Sequence, residues 1–418
     1  MNRSENPGPK KSRWVIFGLC SLLFISSQFY RVSNAIIAPQ LQVEFSITSE
    51  QLGLLSAAFF YAFAFAQIPL ALFLDRLGAR LIMSGLSLLG ALGAWIFAGS
   101  NGLGTGVIGR MLLGLGMAGN LMGSLKLFTA WFSPRQFATL SGVLLAIGTI
   151  GNMVAATPLA LLMNALGWRL SFTIIGCTTA FLSVVFFLVV RDSPAGVALG
   201  EEKSQEAYGV LSMIGLLLGR REYWLISTGT FFRYGVFVAI QGLWAGPYLI
   251  KGLGFSPVEA GNILLLLNIG LVVGSPLGGW LSDRVLNSRK TAVILGLMVM
   301  SLTLFALSLG FFKDNLLMLG VIFFFLGVSS GFGIIMYAHI KEWVPAEMQG
   351  MAFTGVNLFT MLGAAVFMQG MGWVLDQWST SQIVGPQEYQ KAFFIGFLGM
   401  VIALVIYFFT RDGEQVSD

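Results

Sequence analysis

The sequence predicts an all-α membrane protein: twelve transmembrane helices in two pseudo-symmetric six-helix bundles. Four observations predict it. Of 418 residues, 56% are hydrophobic and only 10% charged, against about 25% charged in a soluble domain. The apolar residues gather in runs of roughly 20, the number a helix needs to cross a hydrocarbon core of about 30 Å. A charged turn also occurs twice. Ala71, Asp75, Arg76, Gly78 and Arg80 lie between two apolar runs, and Gly279, Asp283, Arg284, Arg289 and Lys290 repeat the pattern, with Asp283 placed 208 residues after Asp75. A repeat at half the chain length marks a duplicated unit. Finally, the basic residues divide unevenly between the two sides that these runs define.

The candidate spans lie near 14–38, 51–74, 80–99, 105–130, 138–163 and 168–190, then 223–249, 260–281, 291–310, 316–338, 350–374 and 391–410. Residues 1–190 are expected to form one bundle and 223–418 the other. Residues 191–222, with Glu201, Glu202, Lys203 and Glu206, read as the linker. Within it, the short apolar stretch 210–218 is flanked by Arg220 and Arg221 and reads as a helix lying on the membrane surface. Gly78 lets the first charged turn reverse quickly, because glycine tolerates positive φ.

Charge sets the expected orientation. With the N-terminus inside, sixteen of the 24 Lys and Arg fall on the cytoplasmic side and four, Arg169, Lys251, Lys313 and Lys391, on the other. That bias places both termini in the cytoplasm. The compact loops, and a first apolar run too long for a cleavable leader, suggest a bacterial inner membrane. The remaining four basic residues, Arg31, Arg110, Lys126 and Arg233, lie inside spans, whereas none of the 19 acidic residues sits mid-span.

Several classes are set aside on the same grounds. A net charge of +5 would suggest nucleic acid for a soluble protein, but here the basic residues are topology signals, so no nucleic-acid partner is expected. Cys20 and Cys177 lie in apolar runs and imply no disulfide framework. One histidine, His339, argues against zinc or histidine-based catalysis, and its place beside Lys341 at a span end suits a structural role. No nucleophile, base or metal cluster lies among the spans, so no enzyme activity, metal or cofactor is expected. The expected partners are a small-molecule substrate, the lipid bilayer and optionally a coupling ion, and the chain is expected to work as a monomer.

The charged turn resembles the loop signature of the major facilitator superfamily, G-x-x-x-D-R-x-G-R-[RK], found between the second and third spans of each half. The first copy has Ala71 where the pattern has Gly; the second keeps Gly279, Asp283 and Arg284 ahead of an altered tail. Arg110-Met-Leu-Leu-Gly114-Leu-Gly116-Met-Ala118 also fits the family's R-x-x-x-G-x-G-x-A pattern in span 4. Spans 3, 6, 9 and 12 are nearly pure aliphatic, Phe and Gly residues, as lipid-facing helices should be. The resemblance implies secondary transport by alternating access. It further implies a gate built from Asp75, Arg76, Arg80, Asp283 and Arg284, with Asp75 facing the start of span 11 and Asp283 the start of span 5. It associates Arg110 with conformational switching; a snorkelling Arg near the outer end is the equal alternative. For Lys126, snorkelling is preferred over a place in the cavity.

The polar residues inside the spans nominate a binding site. In span 1, Ser27, Gln28, Arg31 and Asn34 share a helical face, flanked by Tyr30. A buried guanidinium with no carboxylate at its depth is costly unless an anionic ligand supplies the partner; bonding to helix-end carbonyls or water is the plainer alternative. In span 7, Tyr234, Gln241 and Trp244 follow one stripe with Arg233 at its border. Asn120 in span 4 and Asn357 in span 11 complete the set of candidate substrate contacts. Paired arginines in spans 1 and 7 resemble the organic-anion and organic-phosphate branches of the family. The expected function is transport of a small organic anion, a carboxylate or phosphate-bearing metabolite. Export of neutral or amphipathic compounds and a non-transporting ligand sensor are the alternatives.

Overall fold

The computed structural model describes residues 10–194, 215–311, 315–345, 348–378 and 385–413, and these residues are helical with short connections. Nine stretches among them are long and apolar enough to cross a membrane. The count falls short of twelve because helices run together or break. Ser49–Ala98 is continuous in hydrogen bonding for 50 residues, about 75 Å if straight, yet it is a hairpin. Arg169 bonds both Glu44 and the Ala98 carbonyl, so residue 98 returns to the end where residue 49 begins. The reversal is at Gly78, whose φ of 81° is the positive value expected there. Thr157–Val189 holds a second such break at Gly167, φ 76°. In the linker, residues 215–218 are helical; the rest of the expected surface helix lies outside the described residues.

The helices nearest the centre are broken, where the sequence suggested single continuous spans. Span 1 runs Lys10–Val32 and resumes as Asn34–Phe45. Span 4 is Leu103–Met117 then Asn120–Trp131, and span 10 is Leu316–Gly331 then Ile334–Lys341. Span 7 is α-helical over Arg221–Ala239 and continues through two π segments, Ile240–Trp244 and Tyr248–Gly252. Pro247 lies between these segments and has no N–H to give, which favours a widened turn.

The two bundles close on each other at the end opposite the termini. Pro39 leaves the Ala35 carbonyl without a donor four residues on, and Gly246 of span 7 packs directly against that carbonyl. A Cβ at 246 would overlap it, so glycine is required for space. Asp376, at the end of span 11 (Gln349–Trp378), accepts from the backbone N–H groups of Ser49 at 2.9 Å and Glu50 at 2.7 Å. These first-turn donors have no partner within their own helix. Tyr61 donates to Gln369, Thr157 to Asn262 and Lys251 to Gln42 across the same junction. At the termini end the described bonds instead join elements of one bundle: Trp131 with Arg191, Arg80 N–H with Asp192, and Arg289 with Glu342.

Candidate functional site

A cavity of about 410 Å³ lies between the bundles. Gln28, Arg31, Thr149 and Asn152 line it from spans 1 and 5, and Arg233, Tyr234 and Gln241 from span 7. Ser275, Ser330, Tyr337, Asn357 and Thr360 add polar groups from spans 8, 10 and 11, while Leu121, Met122, Leu125, Leu145 and Leu271 form an apolar wall. Spans 3, 6, 9 and 12 contribute nothing to its lining. They present Leu88, Phe181, Leu302 and Val405 outward instead. The lining reaches Leu125 and Phe353, each within a few residues of the termini end, while the opposite end is sealed by the junction described above.

Two guanidinium-bearing residues, one from each bundle, line the cavity. Arg31 donates from Nη1 to the Tyr234 hydroxyl at 3.0 Å and lies 5.1 Å from the Phe63 ring centroid. Arg233 lies 6.0 Å from the Tyr234 ring centroid and donates from Nη1 to the Ser330 carbonyl at 2.7 Å. Nε of each is buried without a partner, as are Oε1 of Gln28 and Oδ1 of Asn152 on the same wall. Among the described residues no carboxylate lines the cavity. Uncompensated N–H groups in a low-dielectric space are strong receptors for an anion, because a charge-assisted bond is about twice as strong as a neutral one.

Of the residues the sequence nominated, the structure brings Gln28, Arg31, Arg233, Tyr234, Gln241 and Asn357 together. It does not bring Tyr30, Asn34, Trp244 or Asn120 to the cavity. Tyr30 is fully buried and pairs with Thr179 at 3.1 Å. Asn34 donates to Ser56 at 2.8 Å and is fully buried away from the cavity. The Trp244 indole donates to the Met368 carbonyl at 2.9 Å, a bond within the second bundle. Asn120 knots three spans by donating to the Leu23 carbonyl and accepting from Ser87. Lys126 donates to the Leu74 carbonyl at 2.5 Å.

Arg110 is wholly buried and donates from Nη1 to the Tyr30 carbonyl at 2.9 Å, where span 1 breaks. This is a cation at the negative end of a helix dipole, and it does not snorkel to the surface. Among the expected gate residues, Asp283 forms an ion pair with Arg289, which also bonds Glu342 at 3.1 Å. Its partner is thus in its own bundle. Arg76 and Arg284 are exposed, and Arg80 lies against Phe187 at 4.5 Å. The side chain of Asp75 is outside the described residues. Asp376, Asn152 and Tyr337 were not among the residues the sequence nominated. Their depth is legible in the spacing; their direction is not.

Membrane-length helices surrounding a largely apolar cavity that carries a few polar groups and is sealed at one end are the architecture of a small-molecule membrane transporter. The pattern of the Major Facilitator Superfamily matches residues 19–296 and 226–418. The chain belongs to that family. It is 25% identical over 381 residues to a probable sulfoacetate transporter, SauU, of Cupriavidus necator, covering 85% of this chain and 87% of that one. It is 23% identical over 414 residues to a probable galactarate/D-glucarate transporter, GudP, of Bacillus subtilis, covering 89% and 88%. Its fold matches a bacterial homologue of the human lysosomal transporter Spinster, with a TM-score of 0.79, 17% identity and 96% and 97% coverage.

Proposed function

We propose that this protein carries a small organic anion across the membrane by alternating access, with Arg31 and Arg233 receiving the anionic group. The observation that carries this reading is the presence of two incompletely bonded guanidinium groups, one from each bundle, in a cavity without a described carboxylate. A ligand that bridges the bundles there stabilises their joint closure, which is what alternating access requires. Sulfoacetate and glucarate, named for two relatives, are both anions at neutral pH. The termini end, rich in Lys and Arg, faces the cytoplasm, so the cavity opens inward. Among the described lining residues no carboxylate offers itself to a proton, and exchange, uniport and ion symport stay open as modes.

The apolar wall of Leu121, Met122, Leu125, Leu145 and Leu271 favours a second reading, in which the cargo is amphipathic. One screen separates the two. Ligands that bind only the native state raise apparent stability by RT ln(1 + [L]/Kd). Anions should raise the Tm of the wild type and not of Arg31→Gln. Equal shifts in both proteins, or shifts with neutral amphiphiles alone, would remove the anion reading.

A further inference from the structure

Each bundle contains an arginine that stops the broken end of a neighbouring helix. Arg110 does this for span 1, through the Tyr30 carbonyl. Arg233 does it for span 10, through the Ser330 carbonyl, one residue before the segment Leu316–Gly331 ends. Carbonyls at a helix end carry the negative end of the dipole, so a guanidinium suits them beside the Ser33 hydroxyl and Gly333 N–H that also reach these two. The two arginines differ in their surroundings, although both keep buried nitrogens without a partner, Nε and Nη2 in Arg110 and Nε in Arg233. Arg110 is enclosed, with Phe59 and Phe97 ring centroids at 5.0 and 6.0 Å. Arg233 lines the cavity and keeps a buried Nε without a partner.

Gly333 explains how Arg233 holds both positions. It lies in the span 10 break with ordinary helical angles, φ −64° and ψ −20°, so no backbone requirement calls for glycine. The requirement is space. A Cβ at 333 would overlap Cζ, Nη1 and Nη2 of Arg233 at once. The guanidinium group lies in the volume that any other residue would fill.

We propose that Gly333 is a positioning residue for the anion site. Its missing side chain is the seat that holds Arg233 against the span 10 break, with Nη1 bound to the Ser330 carbonyl and the residue at the cavity wall. This rests on the anion reading and adds to it the residue that sets where the second guanidinium stands.

The test is a double-mutant cycle in the full-length protein, with Gly333→Ala, Arg233→Gln and the pair. The first readout needs no ligand: modification of Arg233 by phenylglyoxal, followed by mass spectrometry. Lifting the guanidinium out of its seat should speed labelling about tenfold in Gly333→Ala, the scale of one lost bond to a charged group; an unchanged rate overturns the proposal. The second readout is affinity for sulfoacetate and D-glucarate. With Arg233 present, Gly333→Ala should weaken binding about tenfold; with Gln at 233 it should weaken it less than about twofold. Equal losses in both backgrounds make Gly333 merely structural and overturn the proposal alone. Failure of the wild type to bind either anion overturns it together with the anion reading. If Gly333→Ala does not fold, Arg233→Gln removes the overlap and should restore folding; no rescue also overturns it.

Discussion

Asp376→Asn should loosen the seal opposite the termini. In the wild type both carboxylate oxygens accept first-turn N–H groups of the helix that begins at Ser49, at 2.9 and 2.7 Å, from the other bundle. A bond to a charged group contributes about 1.5–3 kcal/mol, and a negative charge at a helix N-terminus about 0.3–1 kcal/mol. The site is part-buried, so water and salt reduce both figures. Asparagine keeps one acceptor, loses the charge and turns an amide N–H₂ toward the second N–H. The net loss is about 2 kcal/mol, which shifts the ratio of sealed to open states about 30-fold. The assay is electron–electron distance measurement between spin labels at Val43→Cys and Leu317→Cys, exposed residues of the two bundles at this end, with Cys20 and Cys177 replaced. The population with separated labels should grow in Asp376→Asn and stay near wild type in Asp376→Glu. An unchanged distance distribution in Asp376→Asn would refute the assignment of Asp376 as an inter-bundle latch.

Three further predictions concern the supporting structure. Gly246→Val places a side chain on the Ala35 carbonyl and should open the same label pair while lowering Tm; a normal Tm with normal distances would contradict the packing. The Nε2 of His339 faces the Arg411 carbonyl at 2.8 Å and so carries the proton, leaving Nδ1 to accept from the Tyr407 hydroxyl at 2.6 Å. His339→Ala strands both partners and should cost about 2–4 kcal/mol, read as a lower Tm and faster proteolysis beyond residue 408. At Glu44, burial acts to raise the carboxyl, but hydrogen bonds from Trp168 and Arg169 and the Arg169 charge outweigh it and hold the pKa below its ordinary value. A lowered carboxyl adds stability above its unfolded value, near about 4, and loses it as pH falls through the folded value. Tm should therefore fall on acidification below about pH 5, with a shallower slope in Glu44→Gln.

Much of the architecture was legible because its causes are local. Hydrocarbon demands about 20 apolar residues per helix, and the chain supplies runs of that length. Gly78 could be assigned to a reversal because only glycine takes positive φ without strain. The lipid-like composition of spans 3, 6, 9 and 12 foretold their absence from the cavity lining. The break in span 1 was not legible. Ser33 is not a helix breaker, and partners distant in sequence hold the broken ends, such as Arg110 on Tyr30 and Arg233 on Ser330.

The same division runs through the site. Sequence by itself determined that uncompensated positive charge lies inside the membrane, because Arg31 and Arg233 fall within apolar runs while the 19 acidic residues do not. Helical spacing alone could not decide which neighbours share their cavity. Asn34 stands three residues from Arg31, yet it bonds Ser56 of span 2 and does not line the cavity. Asn152, Tyr337 and Ser330 come from other helices and meet the arginines only when the bundles pack. The tertiary structure decided this, because a side chain's direction depends on the rotation of each helix about its axis. That rotation is set by contacts such as Gly246 on Ala35 and Gly333 under Arg233, which join residues about 100 or more positions apart.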